Sequence, residues 1–443
     1  MKSVDPAPSA PHAFTRPAIV LCQNVTGLAT MRALEQAGVE VHCFLLEAHA
    51  FARYSRYGKK ILLYGRHRDE PFFLQFLIDY CEKLGNRPVL FPSSDSMALF
   101  LAKHAEQLRR CCVFSSTTHD ELVGLVSKDR LYRSAAAAGV NTIPCVVTQD
   151  AGAIAAWSLN HPAPYLLKPF YEGIDTYRPF EKNVMFTARE DLLGYVAEYG
   201  TCSMIVQRMI EGGDGFIFDC YGYCKANGQV LTMASHRRLR QHPPNFGSTC
   251  FGEIPANFGA AADRQIFGNT EQLLGKVRYH GIFGIEWLYE RASGKFYVID
   301  FNARPFITIG HLQDCGLNLP ELAYRELIGQ LPATVVRLPV LRHILWMDLL
   351  RDISTMHAVE ANDWIAIRVW FASLRRCRSF AYQSWRDPGP GIAKLLTIAL
   401  RFATFLGGKL SGRERRTRFR AESGKKHQPP KPESRESIGS ENP

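Results

Sequence analysis

The 443-residue chain has no run of about 18 uncharged apolar residues, which argues against a membrane-crossing helix. Its opening, MKSVDPAPSAPHAFTRP, lacks the apolar stretch of a secretory signal, so a cytoplasmic location is expected. The twelve cysteines include no CxxC pair; Cys111 and Cys112 are adjacent, and Cys220 and Cys224 lie four apart. That spacing argues against a zinc site or a secreted disulfide framework. Reduced thiols buried as small hydrophobes are expected instead. The loop after the first apolar run, QNVTGLAT, has one glycine where a dinucleotide fingerprint needs three. No Ser-His-Asp or reactive-cysteine constellation stands out.

What is present is positive charge. Lys and Arg number 53 against 42 Asp and Glu, for a net charge of +11. Residues 411–443 hold nine Lys/Arg and five Glu, so +4 of the excess lies in that tail. Aromatics are not interleaved with the basic residues as single-strand binders require, so no nucleic-acid partner is expected. The remaining excess suits a polyanionic nucleotide.

Residues 1–16 are rich in Pro and Ala and are expected to be disordered, as are the charged, Pro/Ser-rich residues 411–443. Between them, apolar runs at 18–22, 39–46, 60–64 and 88–92 alternate with helical patterns at 28–37, 71–84 and from Ser94. That alternation is the unit of a parallel sheet, so residues 17–125 read as an open α/β domain. A helix is expected over 127–138. Strand-like runs then follow at 164–169, 203–210, 216–224 and 229–234, the last two joined by an Asn227-Gly228 hairpin signal. Residues 126–335 therefore read as an α+β unit with antiparallel sheets. From Arg337 to residue 410 the pattern is helical. In its last segment, 392–406, Lys394, Thr397, Arg401 and Thr404 form one polar stripe on an otherwise apolar helix. Two placements are open for it: packed on the protein, or lying on a membrane surface beside the basic residues that follow.

The chemistry concentrates in residues 281–305, GIFGIEWLYERASGKFYVIDFNARP. Ser293-Gly294-Lys295 supplies a turn between two strands. Such a hairpin puts Glu286 on one strand and Asp300 and Asn302, two apart and on one face, on its partner. Two carboxylates and an amide carbonyl form a hard-oxygen ligand set suited to Mg²⁺ when phosphates complete the octahedron. A solvated hairpin face would also carry acidic residues. Yet Asp300 lies among apolar neighbours, and a buried carboxylate without a partner is costly, which implies a metal or a cation.

This segment resembles the last motif of the ATP-grasp ligases, and the resemblance runs over about residues 18–330. Ser127-Lys128-Asp129, opening a helix, is similar to the family's first nucleotide lysine, and Lys168 in YLLKP to its second. VQRMI at 206–210 followed by Glu211-Gly-Gly-Asp214 resembles its hinge. The resemblance implies that backbone at Gln207, Met209 and Ile210 reads adenine and that Asp214 reaches the ribose. It implies Glu286, Asp300 and Asn302 as ligands of Mg²⁺ (or Mn²⁺), with ATP as cofactor. The family usually has Glu where this chain has Asp300, one methylene shorter, which puts the metal geometry in question. The stretch HRRLRQHPP at 236–244, with Gly247-Ser-Thr, is similar to a carboxylate–amine ligase subgroup that includes D-aspartate ligase and carbamoyl-phosphate-synthase-like proteins. There Arg240 and Arg304 are expected as catalytic guanidinium groups clamping a carboxylate or the γ-phosphate, with Arg237 and Arg238 read as ordinary surface charge.

The implied architecture is a Rossmann-like pre-ATP-grasp domain (17–125), a two-lobed ATP-grasp domain (126–335) and a helical extension (336–410). The implied activity is ligation of a carboxylate to an amine or thiol through an acyl phosphate. The alternatives are a kinase-like phosphotransferase and a non-catalytic or weakly active, membrane-associated ATP-binding assembly protein. Small-molecule carboxylate and amine substrates are the expected partners. Peripheral contact through 392–420 with the inner membrane face, and a homodimer, stay open.

Overall fold

The first hundred residues alternate apolar runs with amphipathic helices, and a computed structural model of the protein shows how they assemble. It describes residues 14–169, 183–199, 204–210, 212–244, 247–331, 334–360 and 364–410. The expectations for residues 1–13 and 411–443, and for Glu211 in the hinge, lie outside these.

Strands β1 (Ala18–Cys22), β2 (Val41–Leu45), β3 (Lys59–Leu62) and β4 (Val89–Pro92) form a parallel sheet in the order β3-β2-β1-β4. β1 is central and buried along its whole length, which is why it reads as an unbroken apolar run. Helix α1 (Val25–Gln36) starts where Asn24 accepts from the Thr26 N–H (2.9 Å). Ile19, Leu21 and Phe44 pack against α2 (Glu70–Leu84) and α3 (Asp95–Lys103) on one face. Val20, Cys43 and α1 pack on the other. A short helix, α4 (Ala105–Leu108), follows α3.

Helices α5 (His119–Val126) and α6 (Lys128–Ala137) lead into two further sheets, the smaller antiparallel and the larger antiparallel except for its last pair of strands. The smaller contains β5 (Cys145–Thr148), α7 (Ala151–Leu159), β6 (Tyr165–Pro169), β7 (Val184–Phe186), α8 (Arg189–Tyr199) and β8 (Met204–Arg208). Its strands run β5-β8-β6-β7, with a core of Ile154, Tyr165, Leu167, Leu192 and Val206.

The larger sheet begins with β9 (Ile217–Cys224) and β10 (Val230–His242), joined by the expected turn: Gly228 N–H donates to Lys225 O at 2.9 Å. Then come β11 (Ser248–Ile254), α9 (Ala260–Leu274), β12 (Gly281–Glu290) and β13 (Lys295–Asn302). Trp287, Phe218 and Phe283 are buried against α5, α6 and α9. Helices α10 (Ile309–Cys315) and α11 (Leu319–Leu327) pack on α1.

The stretch after Arg337 is not purely helical. β14 (Ile344–Met347) pairs with β11, and β15 (Ser379–Phe380) extends the sheet to seven strands, β13-β12-β9-β10-β11-β14-β15. A four-residue apolar run such as ILWM fits a strand or a buried helix turn equally well. Here it covers an edge that would otherwise expose unpaired backbone. Helices α12 (Leu349–Glu360), α13 (Trp364–Arg376) and α14 (Gly389–Leu410) complete the described chain. Its contacts divide into Met1–Lys394 and Leu395–Pro443. No described helix is long and apolar enough to cross a membrane.

Candidate active site

The hairpin of β12 and β13 sets Glu286 directly opposite Asp300, and Gly284 opposite Asn302. β9 and β10 continue the row, because Glu286 pairs with Asp219 and Asp219 with His236. Directly paired residues point to the same face, so one face of the large sheet gathers Asn302, Asp300, Glu286, Asp219 and His236.

Contacts within the cluster leave a particular set of atoms over. Asn302 donates through Nδ2 to Gly284 O (3.3 Å) and to Glu286 Oε1 (3.1 Å). Arg238 reaches the same Oε1 at 2.7 Å. Asp300 takes Lys128 Nζ at 3.2 Å on Oδ1, and that lysine also donates to Ile299 O at 3.1 Å. Among the described residues, no hydrogen bond engages Glu286 Oε2, Asp300 Oδ2 or Asn302 Oδ1. Three spare oxygens from two carboxylates and an amide are the donor set a hard divalent cation takes, so these residues fit the implied metal.

Charge complements them. Burial would raise the Asp300 carboxyl, but the Lys128 ammonium outweighs it and holds the group below its usual range, with a smaller pull from Lys168 on β6. Lys168 thus brings a positive charge from the smaller sheet toward the cluster.

Arg238 was not anticipated. It is buried and forks onto Asp219 (NH2 to Oδ1 2.6 Å, Nε to Oδ2 3.1 Å) while holding Glu286. His236 Nδ1 lies 2.7 Å from Asp219 Oδ2. Burial pushes Asp219 upward, yet Arg238 and His236 keep it well below the usual carboxylate range. Arg238 is therefore no surface charge; it orients the Glu286 carboxylate. Two signals mark this network in the sequence. His236 and Arg238 share a strand face by their spacing, and Asp219 interrupts an otherwise apolar strand.

Arg240 is not brought to the cluster. The register slips between Arg238, opposite Gly252, and Arg240, opposite Phe251. Such a bulge turns the following side chain to the other face. There Arg240 lies over the Phe251 ring (4.1 Å) and forks onto buried Asp352 of α12 at 2.7 and 2.8 Å. Trp370 Nε1 donates to the same carboxylate at 2.7 Å. Arg240 ties the sheet to the helical extension. Arg304, just past β13, forks onto Asp95 at the start of α3, with both contacts at 2.9 Å. Beside it opens an apolar cavity of about 60 Å³ whose lining includes Leu90, Phe114, Tyr279 and Ile282.

The hinge is partly committed to the fold. Gln207 lies within β8, between β5 and β6. The Met209 N–H donates to Pro164 O at 2.9 Å, which leaves it no donor for a base. Among the described residues the N–H of Ile210 has no acceptor, and the buried Gln207 Oε1 has no donor. Asp214 accepts from Gln241 Nε2 at 3.2 Å, and burial raises its carboxyl above the usual range.

The cysteines behave as expected. The described ones are free, and all but Cys145 are buried. Cys81, Cys111 and Cys112 gather within 4.8 Å, but burial raises Cys111 to about 11 and Cys112 higher still, so they pack as neutral thiols.

No family model and no curated protein matches the chain. Solved structures do. An N5-carboxyaminoimidazole synthetase from Staphylococcus aureus superposes with a TM-score of 0.59 at 12% identity, over 80% of this chain and 88% of its own. The biotin carboxylase domain of the Hydrogenobacter thermophilus 2-oxoglutarate carboxylase, a dimer solved with MgADP, ADP and bicarbonate, gives 0.59 at 14%, over 74% and 73%. An L-amino acid ligase from Bacillus licheniformis gives 0.53 at 15%, over 73% and 78%. At these identities the likeness shows the fold, which is that of the ATP-grasp ligases.

Proposed function

We propose that the protein is an ATP-dependent ligase joining a carboxylate to an amine (or thiol) through an acyl phosphate, in the cytoplasm. The observation that carries this reading is the trio of spare oxygens on Glu286, Asp300 and Asn302, on one sheet face with Lys128 beside them. MgADP bound in the carboxylase neighbour supports it.

In this reading the buried Gln207 Oε1 accepts from the adenine amino group and the Ile210 N–H donates to the ring. Asp214 faces the ribose. Lys128 and Lys168 offset phosphate charge, and Arg238 fixes the Glu286 carboxylate. A divalent cation held by Glu286, Asp300 and Asn302 would neutralise charge on the β- and γ-phosphates. A carboxylate oxygen of the substrate attacks the γ-phosphorus, and the bond to the β-phosphate oxygen breaks, releasing ADP. The amine then attacks the acyl carbon; phosphate leaves and the amine proton passes to solvent. Positioning and fixed charge supply the rate, without a dedicated acid–base pair. Arg304 receives the acid in place of Asp95, since its fork already fits a carboxylate, and the cavity beside it takes the apolar part of that substrate.

The test is ADP release over a panel of acids and amines. Glu286→Ala and Asn302→Ala are each expected to abolish it while circular dichroism stays unchanged. Turnover retained in both variants would sink the assignment. Phosphate should appear in step with ADP; ADP without phosphate would point instead to a stable phosphorylated product.

A further inference from the structure

Helix α2 buries Phe73, Leu77 and Cys81, spaced four residues apart along one face. Beyond α4 the chain turns so that adjacent Cys111 and Cys112 both reach Cys81: the three Sγ atoms lie within 4.8 Å of one another. Neighbouring side chains ordinarily diverge, so the turn itself brings these two thiols together. The Leu108 carbonyl accepts from the Cys111 and Cys112 amides at 3.1 and 2.9 Å, which fills its two lone pairs. Both thiols crowd the same oxygen, at 3.4 and 2.9 Å, so neither S–H has an acceptor of its own. The three cysteines are between 0% and 7% exposed, in a core that includes Phe73, Leu77, Phe100 and Leu108.

Coordination number and charge select what such a trio takes. Among the described residues no fourth Cys, His, Asp or Glu joins it, which leaves a four-coordinate zinc site one ligand short. Three thiolates around Cu(I) or Cd²⁺ suit those soft ions, but the complex carries net negative charge, which an apolar core penalises. A trivalent metalloid meets both limits. It bonds three sulfurs in a pyramid with its lone pair at the apex, and the tri-thiolate is neutral. It also reacts with neutral thiols, the form in which burial keeps Cys111 and Cys112.

We infer that Cys81, Cys111 and Cys112 form a binding site for a trivalent thiophilic metalloid hydroxide, the class to which arsenous acid belongs. Three S–H and three As–O bonds break, three As–S bonds form, and three waters leave; no electron is transferred and no net proton is released. The product ties α2 to the turn after α4. The inference does not depend on the ligase reading, since none of these residues belongs to the nucleotide cluster.

The test is native mass spectrometry of the reduced full chain mixed with arsenite. One arsenic per chain is expected, with three hydrogens lost and no hydroxide retained. Cys81→Ser and Cys112→Ser should each lose this three-sulfur adduct, and Cys224→Ser, in another core, should keep it. Equal binding by all three variants would mean scattered thiol binding and overturn the inference. So would a wild-type adduct that keeps a hydroxide, the mark of two thiols rather than three. X-ray absorption at the arsenic edge of the wild-type complex needs no variant to fold: three sulfur neighbours and no oxygen are expected, and an oxygen neighbour overturns the inference. Because the condensation releases no net proton, affinity should stay flat across the neutral pH range. Affinity that rises with pH, or displacement of arsenite by equimolar Cd²⁺, would reveal a charged thiolate site and overturn it as well.

Discussion

At the scale of single residues, Gln207 and Asp219 show two ways of burying a polar group. Gln207 carries a buried oxygen without a donor, which costs about 1–3 kcal/mol. Gln207→Met removes that cost, so the free protein should be at least as stable in urea while its ATP affinity falls by about tenfold, the worth of one hydrogen bond of about 1.4 kcal/mol. Loss of stability in this variant would mean the oxygen is already satisfied. Asp219 is the opposite case, fully partnered and depressed by Arg238 and His236. A carboxylate depressed on folding stabilises above its unfolded pKa, near 4, and that stabilisation disappears as pH falls through the lower folded value. Wild-type urea midpoints should therefore drop on acidification below about pH 5. In the double variant Asp219→Asn/Arg238→Met the drop should be shallower; an identical slope would refute the role given to Asp219. The hairpin that carries Glu286 and Asp300 on partner strands was legible in its short turn, but their direct pairing depends on a register slip between Glu286 and Trp287 that the sequence does not signal. The Arg238–Asp219 fork was legible only in part: spacing puts His236 and Arg238 on one face, but the partners are 19 residues apart and meet through a β9–β10 register that slips between Val230 and Thr232.

At the scale of elements, alternation and turn chemistry were enough to read β1 to β4, the hairpin of β9 and β10, and the hairpin of β12 and β13. What they could not reveal is a slip inside a strand. β10 is 13 residues long, and strict alternation along it would place Arg240 with Arg238 and His236. The bulge reverses that parity and hands Arg240 to α12. A guanidinium and a carboxylate buried together contribute little net stability, whereas either one left alone is costly. Arg240→Met and Asp352→Leu should each cost about 3–5 kcal/mol in urea unfolding, and the double variant clearly less than either. The double variant should also keep its ATP turnover. A stable but inactive double variant would return Arg240 to the active site.

At the scale of the whole molecule, the segment just after β15 is tied to the N-terminal parallel sheet and its loops by a buried carboxylate, beside the apolar contacts of Phe51 with Tyr382 and of Val25 with Trp346. Asp387 is fully buried and accepts from Arg32 Nε (2.8 Å), Ser55 Oγ (2.7 Å) and the Arg56 N–H (2.9 Å). Its own carbonyl accepts from Arg32 NH2 at 3.0 Å. No local pattern signals this tie, because Arg32 and Asp387 are 355 residues apart and Asp387-Pro-Gly reads as a chain break. Strands β14 and β15, helix α12 and the parallel sheet all lie in the unit Met1–Lys394, so loss of the tie should not merely free a tail. Asp387→Ala leaves the Arg32 guanidinium buried without its charge partner, at a cost of about 3–5 kcal/mol. For a cooperative unit of nearly 400 residues that corresponds to a melting point lower by about 5 °C. Calorimetry of the full chain should show the main transition shifted as a whole. A separate early transition, with the main one unmoved, would mean that the C-terminal third unfolds independently and that Asp387 only fastens it in place.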